Sequence, residues 1–231
     1  METTDVGILV RDCFAKMIFR ASVALEADRK INRFTGRNFT PFKYVYWDEN
    51  KMSDIIADLL NPAGEHGQGD LFLRQFVKYV LGLDENSLNC SKTIVQREAL
   101  TRNIKRQQRS IDILLTGSNW VCAIENKPRA TQQDEQLEAY MQHVKSLDKD
   151  EDKTFLVFLS PYNIEPQSFD TNKNGFRWGQ LNSPTEIKAT HEYITVSFFD
   201  WTKACQEKCE AENVRRFIAD FVEWVNYQIW G

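Results

Sequence analysis

Residues 109–140 read RSIDILLTGSNWVCAIENKPRATQQDEQLEAY, and their pattern predicts the centre of the fold. Residues 109–116 and 119–127 have the composition of β-strands, and the polar segment TGSN between them predicts a turn. Residues 131–147 return to the spacing of a helix, with apolar side chains three and four positions apart. The pattern therefore predicts a strand hairpin followed by a helix.

This hairpin is predicted to direct three charged side chains to one face of the sheet. Asp112 interrupts the apolar strand IDILL, and Glu125 and Lys127 share a face because side chains alternate along a strand. A two-residue loop at 117–118 would place Asp112 one diagonal step from Glu125, whereas a loop two residues longer would oppose them directly. Under either register, two carboxylates and a lysine converge.

Two carboxylates and a lysine in this arrangement suit the hydrolysis of a phosphodiester. Neighbouring carboxylates repel each other when both are ionised, and a bound divalent cation removes that conflict. Carboxylate and water ligands suit Mg²⁺, which polarises a phosphoryl oxygen and lowers the pKa of its bound water. The alternative is an exposed ion pair on the sheet surface. The apolar strands around both acids argue against that alternative, because carboxylates are rarely buried without a partner or a metal.

The combination of IDILL, a turn, AIENK and QLEAY resembles the core of the PD-(D/E)XK nuclease superfamily. The resemblance implies an α/β, restriction-endonuclease-like core, with a mixed central sheet flanked by helices and here an N-terminal helical addition. It implies that Asp112 and Glu125 bind Mg²⁺, with Mn²⁺ able to substitute, and that Lys127 assists the attacking water. This chain differs from the family pattern at Asn126, where an apolar residue is more usual, and at Pro128, which directly follows the lysine.

The helix after the hairpin resembles a second family motif, the QhxxY signature of the recombination-type exonuclease branch. Gln136, Leu137 and Tyr140 occupy its positions, and Gln133 extends the same stripe by one turn. By this resemblance Gln136 and Tyr140 contact the metal-bound phosphate or brace the lysine.

The upstream segment DENKMSDIIADLLNPAGEHGQGDLFLRQF, residues 48–76, resembles the opening of one uncharacterised bacterial subfamily. The resemblance implies that Glu49 is a further metal-binding carboxylate, although Glu49 or the adjacent Asp48 could instead cap the helix. His66 and Asp70, in the element His-Gly-x-Gly-Asp, would approach the substrate or only structure the turn.

A basic segment at 97–109 is a candidate surface for the nucleic-acid backbone. It contains a single acid, Glu98, and five basic residues: Arg97, Arg102, Lys105, Arg106 and Arg109. The alternative is a solvated charged hairpin. The net charge of −4 argues against binding of nucleic acid by the whole surface and leaves a local groove open.

The remaining pattern predicts one domain over 1–231, with a core at about 45–205 and terminal helices at 5–30 and 204–228 packed on it. Other elements follow from apolar periodicity, Pro and Gly positions and composition. They are a first helix through 5–27, a connector at 39–47, helices at 51–60 and 73–81, strands at 93–102, 154–160 and 194–201, and a polar loop at 162–192.

Composition restricts the setting and the competing functions. The sequence has no apolar run of about 18 residues and no basic leader, so neither a membrane span nor a signal peptide is predicted. Five scattered cysteines favour free thiols in a reducing cytoplasm. The three histidines lack the spacing of a zinc site, and the phosphate-binding, dinucleotide-binding and serine-hydrolase motifs are absent.

The sequence thus predicts a metal-dependent nuclease that acts on DNA, in defence, restriction or repair. Two alternatives stay open: a catalytically silent binding or scaffold module with the same fold, and an RNA-directed nuclease. The polar 162–192 segment leaves a homodimer arm or a substrate loop open.

Overall fold

The structure is a computed structural model that describes most of the chain. The described residues are 3–35, 40–44, 46, 48–101, 109–129, 135–147, 149–161, 166, 169–181 and 195–230. The chain divides into two compact units, Met1–Val45 and Tyr46–Gly231. The organisation as a single domain stays a prediction.

The first unit contains one long helix, α1 (Thr3–Thr35), and a short 3-10 helix at Pro41–Lys43. The helix extends the predicted segment 5–27 at both ends. Several of its large apolar side chains are exposed, among them Phe14, Ile18 and Phe19. Across the described residues, no helix is both long and apolar enough to cross a membrane.

The second unit contains one mixed sheet whose six described strands lie in chain order. Its first three strands pair antiparallel, and pairing is parallel from the third strand onward. The strands are β1 (Ile94–Leu100), β2 (Ser110–Thr116), β3 (Val121–Asn126), β4 (Thr154–Ser160), β5 (Phe176–Gln180) and β6 (Thr195–Ser197).

Helices cover both faces of this sheet. They are α2 (Glu49–Leu60), α3 (Leu71–Tyr79), α4 (Gln136–Lys145), α5 (Phe198–Lys208) and α6 (Glu212–Trp230). Glu125 contacts Gln136 on α4, whereas the next residue, Asn126, contacts Ser53 on α2. Because successive side chains of a strand point to opposite faces, α2 and α4 lie on opposite sides of β3. The predicted α/β class, a mixed central sheet flanked by helices, is confirmed.

The centre of the sheet is apolar on both faces. Every residue of β4 is buried, as expected for a parallel strand between two helical layers. One cluster joins β3, β4 and β5 to α4 through large side chains that include Phe158, Trp178 and Leu137. Complete burial of each such side chain contributes about 1.5–3 kcal/mol, so this core holds β3 rigidly in place.

The prediction of a strand over 194–201 is wrong for its second half. The strand ends at Ser197, whose side chain accepts a hydrogen bond of 3.1 Å from the backbone N–H of Asp200 and so caps α5. Phe198, Trp201 and Cys205 are buried along one face of that helix. Apolar residues three and four positions apart outweigh the strand propensity of the short run ITVSFF. The predicted closing helix 204–228 is two helices, because the backbone is extended at Cys209.

The predicted loop at 162–192 contains strand β5, which the sequence pattern missed. Phe176 and Trp178 are buried, and β5 pairs in parallel with β4. The strand has five residues and includes Arg177 and Gly179, so its apolar alternation is too short to stand out. Most of the remaining segment lies outside the described residues.

Candidate active site

The register between β2 and β3 brings Asp112 and Glu125 together. Thr116 pairs with Val121, so the connection has four residues and the longer of the two predicted loops is observed. Continuing the register one step beyond Ile113 and Ile124 sets Asp112 opposite Glu125. Gly117 allows this loop, since a Cβ there would lie 1.9 Å from Nε1 of Trp120.

Asp112 is half-buried, and hydrogen bonds hold it on both sides. Its Oδ2 accepts a bond of 2.8 Å from the backbone N–H of Asn126, and its carbonyl oxygen accepts one from the guanidinium of Arg97. Burial raises the pKa of Asp112, although the Asn126 N–H and the Lys127 charge oppose that shift. The carboxylate is therefore fixed in place and poorly solvated.

Glu125 is the most deeply buried carboxylate of the group, with 1% of its side chain exposed. Its Oε1 accepts a hydrogen bond of 2.7 Å from Nε2 of Gln136 and lies 2.7 Å from Nζ of Lys127. Its Oε2 is buried, and within the described part of the chain no donor bonds to it. Burial, followed by the nearby charge of Asp112, raises the pKa of Glu125 to about 7.

Lys127 lies between two acids. Its Nζ is 2.6 Å from Oε1 of Glu49 and 2.7 Å from Oε1 of Glu125. Burial opposes the charged amine, but these two carboxylates outweigh burial and raise its pKa. The lysine backbone N–H donates to the carbonyl of Leu159 at 2.7 Å, so Pro128 follows the last ladder hydrogen bond instead of removing one.

Glu49 is the first residue of α2, and the neighbouring Asp48 supplies the helix cap. The Asp48 side chain accepts a bond of 2.9 Å from the backbone N–H of Lys51. The Glu49 side chain instead reaches Lys127, and it is 30% exposed. Oxygen atoms of Glu49, Asp112 and Glu125 lie within 4.8 Å of one another, so these three residues, named here the acidic cluster, could hold a metal ion.

The acidic cluster fits a divalent cation on charge and on ligand type. Among the described residues, the ammonium of Lys127 pairs with two of these three carboxylates, so negative charge exceeds positive charge in this group when all four are ionised. The Oε2 atom of Glu125 offers a buried acceptor that no described donor satisfies. Oxygen ligands at this spacing suit Mg²⁺ or Mn²⁺ better than zinc, which prefers histidine and cysteine.

The two polar residues of the helix motif brace Glu125. Nε2 of Gln136 donates to Oε1 of Glu125 at 2.7 Å and lies 2.9 Å from the hydroxyl of Tyr140. That hydroxyl in turn donates to the carbonyl of Ser110, at the start of β2. The pair thus connects the acid of β3 to the strand that carries Asp112. Gln133 lies outside the described residues.

The predicted substrate-contacting residues fall in different environments. His66 is buried, and both of its ring nitrogens bond to backbone. The guanidinium of Arg97 contacts Asp54 and two carbonyl groups, and the backbone of Arg109 bonds to Thr101. Arg102, Lys105 and Arg106 lie outside the part of the chain that the structure describes. Contact of any of these residues with a nucleic acid stays a prediction.

The sequence pattern missed the structural roles of Ser53, Arg97 and Asn126. Asn126 stood out as a departure from the family motif, and a polar residue at a buried strand position was the available signal. Its side chain is fully buried and contacts α2. Nothing local in the sequence indicates the partner, which lies more than seventy residues upstream.

Comparison with known proteins agrees with this geometry. A family model described as the PD-(D/E)XK nuclease superfamily matches residues 40–223, which is most of the chain. Searches of curated proteins and of solved structures give no significant match. The chain belongs to the PD-(D/E)XK nuclease superfamily, as the resemblance predicted.

Proposed function

We propose that this protein is a divalent-metal-dependent nuclease that hydrolyses phosphodiester bonds of DNA. The observation that carries the proposal is the buried Glu125, one of whose oxygens has no hydrogen-bond partner among the described residues, and which lies beside two further carboxylates and a lysine. A buried group of this charge is unfavourable unless a cation binds it. Membership of a nuclease superfamily supports the same conclusion.

In this proposal Glu49, Asp112 and Glu125 hold Mg²⁺, and Mn²⁺ can replace it. The bound ion supplies a Lewis acid for the phosphoryl oxygen and a water of lowered pKa. Lys127 keeps its proton, because two carboxylates flank its amine, and so it orients the attacking water or stabilises charge on the phosphate. Gln136 and Tyr140 fix the position of Glu125 through the hydrogen bonds described above.

We propose that basic side chains of the segment 97–109 bind the nucleic-acid substrate. Arg102, Arg106 and Arg109 belong to the basic segment 97–109 and would approach the phosphate backbone, with Gln133 as a further contact. DNA is the proposed substrate, and matched RNA is the comparison. The five cysteines are free thiols, which fits the proposed cytoplasmic setting.

The test is cleavage of linear, circular and single-stranded DNA and matched RNA with Mg²⁺, Mn²⁺ or EDTA. Wild type is compared with Glu125→Gln, which keeps the shape of the side chain and removes its charge. Glu138→Gln is the matched control, because Glu138 lies on α4 and pairs with Lys173 outside the acidic cluster. All variants are checked for folding by circular dichroism.

We expect metal-dependent cleavage by wild type and by Glu138→Gln, and a loss of at least about 10⁴-fold in Glu125→Gln, as for one member of a catalytic unit. Cutting of circular DNA would indicate an endonuclease. Preference for RNA would change the substrate class. Metal binding without cleavage of any nucleic acid would instead support a binding or scaffold module.

A further inference from the structure

We propose that Arg97 and Asn126 are positioning residues that hold Glu49 at the correct distance from Asp112. The proposal rests on the proposed function, because it concerns the spacing of the metal-binding carboxylates. Asp112 and Glu125 are fixed by direct pairing of β2 with β3, but Glu49 belongs to a separate element, α2. Its place in the acidic cluster therefore depends on whatever fastens the start of α2 to the sheet.

Asn126 makes the first connection. Its backbone N–H donates to Oδ2 of Asp112 at 2.8 Å. Its side-chain Nδ2 donates to Oγ of Ser53 at 3.1 Å and to the carbonyl of Glu49 at 3.5 Å. The residue is fully buried, so these bonds form away from water, where they are stronger and their loss is more costly.

Arg97 makes the second connection from β1. Its Nε lies 2.9 Å from Oδ1 of Asp54, and its Nη2 donates to the carbonyl of Asn50 at 3.4 Å. Its Nη1 donates to the carbonyl of Asp112. The guanidinium of Arg97 thus bonds both to the first two turns of α2 and to the backbone of Asp112 on β2.

The two connections share a geometry that argues for a common role. Each residue contacts Asp112 with one group and the first two turns of α2 with others. The contacted residues of α2, Glu49, Asn50, Ser53 and Asp54, follow one another around the start of that helix. Removing either connection should loosen the helix end that presents Glu49, while leaving β2 and β3 paired.

The competing role for Arg97 is a direct contact with a substrate phosphate. Three of its nitrogens already bond to Asp54, Asn50 and Asp112, and only 22% of its side chain is exposed. A planar guanidinium can donate to three separate acceptors, and a lysine ammonium at the same position cannot reproduce that donor geometry. If Arg97 instead contacted a phosphate, lysine would retain part of the interaction, because its positive charge remains.

The experiment compares Arg97→Met, Arg97→Lys and Asn126→Leu with wild type. Controls are Arg74→Met and Asn119→Leu, which remove an arginine paired with Asp70 and an asparagine bonded to Asp150, both remote from the acidic cluster. Ser53→Ala is a milder second variant, in case Asn126→Leu does not fold.

Mn²⁺ affinity is measured by calorimetry at a temperature where circular dichroism shows folded protein. DNA affinity is measured in EDTA over a salt series, and kcat and KM at saturating Mn²⁺.

A positioning role predicts that Mn²⁺ affinity falls about 10- to 100-fold in Arg97→Met, Arg97→Lys and Asn126→Leu, the range for residues that orient metal ligands. The metal-free DNA affinity, its salt dependence and KM stay as in wild type, while kcat falls. Unchanged Mn²⁺ affinity in the folded variants overturns the proposal. A salt slope reduced by about 1 in Arg97→Met, with partial rescue by Arg97→Lys, assigns Arg97 to a phosphate instead.

The readouts separate this proposal from the proposed function. A wild type that binds Mn²⁺ but cuts no nucleic acid contradicts the nuclease and leaves the positioning role to be judged by affinity. A wild type that cuts DNA, with variants of unchanged Mn²⁺ affinity, contradicts the positioning role alone.

Discussion

The acidic cluster and the turn around His66 are both polar, yet their hydrogen bonds differ in completeness. His66 is 7% exposed, and its two ring nitrogens bond to the carbonyl of Asn61 and the N–H of Gln68, each at 3.0 Å. Glu125 is buried more deeply, has an oxygen to which no described residue donates, and faces two like charges.

This difference is the one expected between a structural polar group and a candidate metal ligand. A buried neutral side chain whose atoms are all bonded stabilises the fold and needs nothing further. A buried carboxylate that is incompletely bonded raises the free energy of the folded chain, and a ligand cation lowers it. Both regions resembled the family pattern in sequence, and only their contacts distinguish them.

The backbone shows the same contrast. The His66 turn places glycines, Gly67 and Gly69, at its two left-handed positions, where φ is 70° and 57°. Beside the acidic cluster a glutamate, Glu98, adopts φ of 50°. In the pairing of β1 with β2, Ala99 pairs with Ile111 and Arg97 pairs with Ile113. Glu98 and Asp112, which lie between these two pairs, are not paired. The left-handed backbone at Glu98 is therefore strained, whereas glycine relieves that strain in the His66 turn.

After Glu125→Gln, the largest effect is expected from Lys127→Met. Loss of the ammonium should lower kcat by about 10²–10³-fold, the range for removal of one group that stabilises a transition state. Mn²⁺ affinity should not fall, because the lysine is not a ligand and its charge repels the ion. Kinetics and calorimetry check both values, with Lys173→Met as the control lysine. A large loss of Mn²⁺ affinity would mean that Lys127 organises the ligands instead.

A pH effect on the stability of the metal-free protein should come next. The pKa of Glu125 is raised from about 4.5 to about 7 in the folded chain, so the folded state holds that proton more tightly than the unfolded state. The resulting stabilisation is fully present below pH 4.5 and is lost as the pH rises through 7. It amounts to about 3 kcal/mol.

Urea unfolding in EDTA at several pH values measures this effect. The decline between pH 4.5 and 7 should be smaller in Glu125→Gln, which cannot titrate there. Added Mg²⁺ should reduce or reverse the decline, since the ion binds the ionised carboxylate. Equal slopes for wild type and Glu125→Gln would show that Glu125 titrates normally.

A smaller effect, confined to stability, is expected from His66→Ala. The carbonyl of Asn61 and the N–H of Gln68 lose their partners, so the free energy of unfolding should fall by about 1–3 kcal/mol. Activity per folded molecule should stay within about twofold of wild type. Denaturation and DNA-binding assays separate the two roles: weakened DNA binding at unchanged stability would favour the predicted substrate contact.

The smallest effect is expected from Glu98→Gly. Glycine adopts the left-handed conformation without a Cβ penalty, so the free energy of unfolding should rise by up to about 1 kcal/mol. The matched control is Glu138→Gly on α4, where the same replacement should destabilise a helix. A fall in stability for Glu98→Gly would indicate that the exposed glutamate makes a favourable contact.

Local pattern was sufficient for the elements with a clear period. The strands around Asp112 and Glu125 and the run TFLVFLS were predicted nearly at their observed bounds, because alternation and continuous apolarity reflect burial directly. The pattern failed at Phe198–Trp201, where strand and helix propensity compete over a few residues, and at Phe176–Gln180, where a short strand gains its place through the neighbouring β4.

The sequence alone predicted the superfamily, the α/β class and the candidate site residues Asp112, Glu125 and Lys127, because residue type and spacing along adjacent strands are local properties. The register of the hairpin, the approach of Glu49 to Lys127 and the connections made by Arg97 and Asn126 required the tertiary structure. Those contacts join residues far apart in the chain. They form because packing of α2 on the sheet brings these residues together, and a local sequence pattern does not indicate which distant residues will meet.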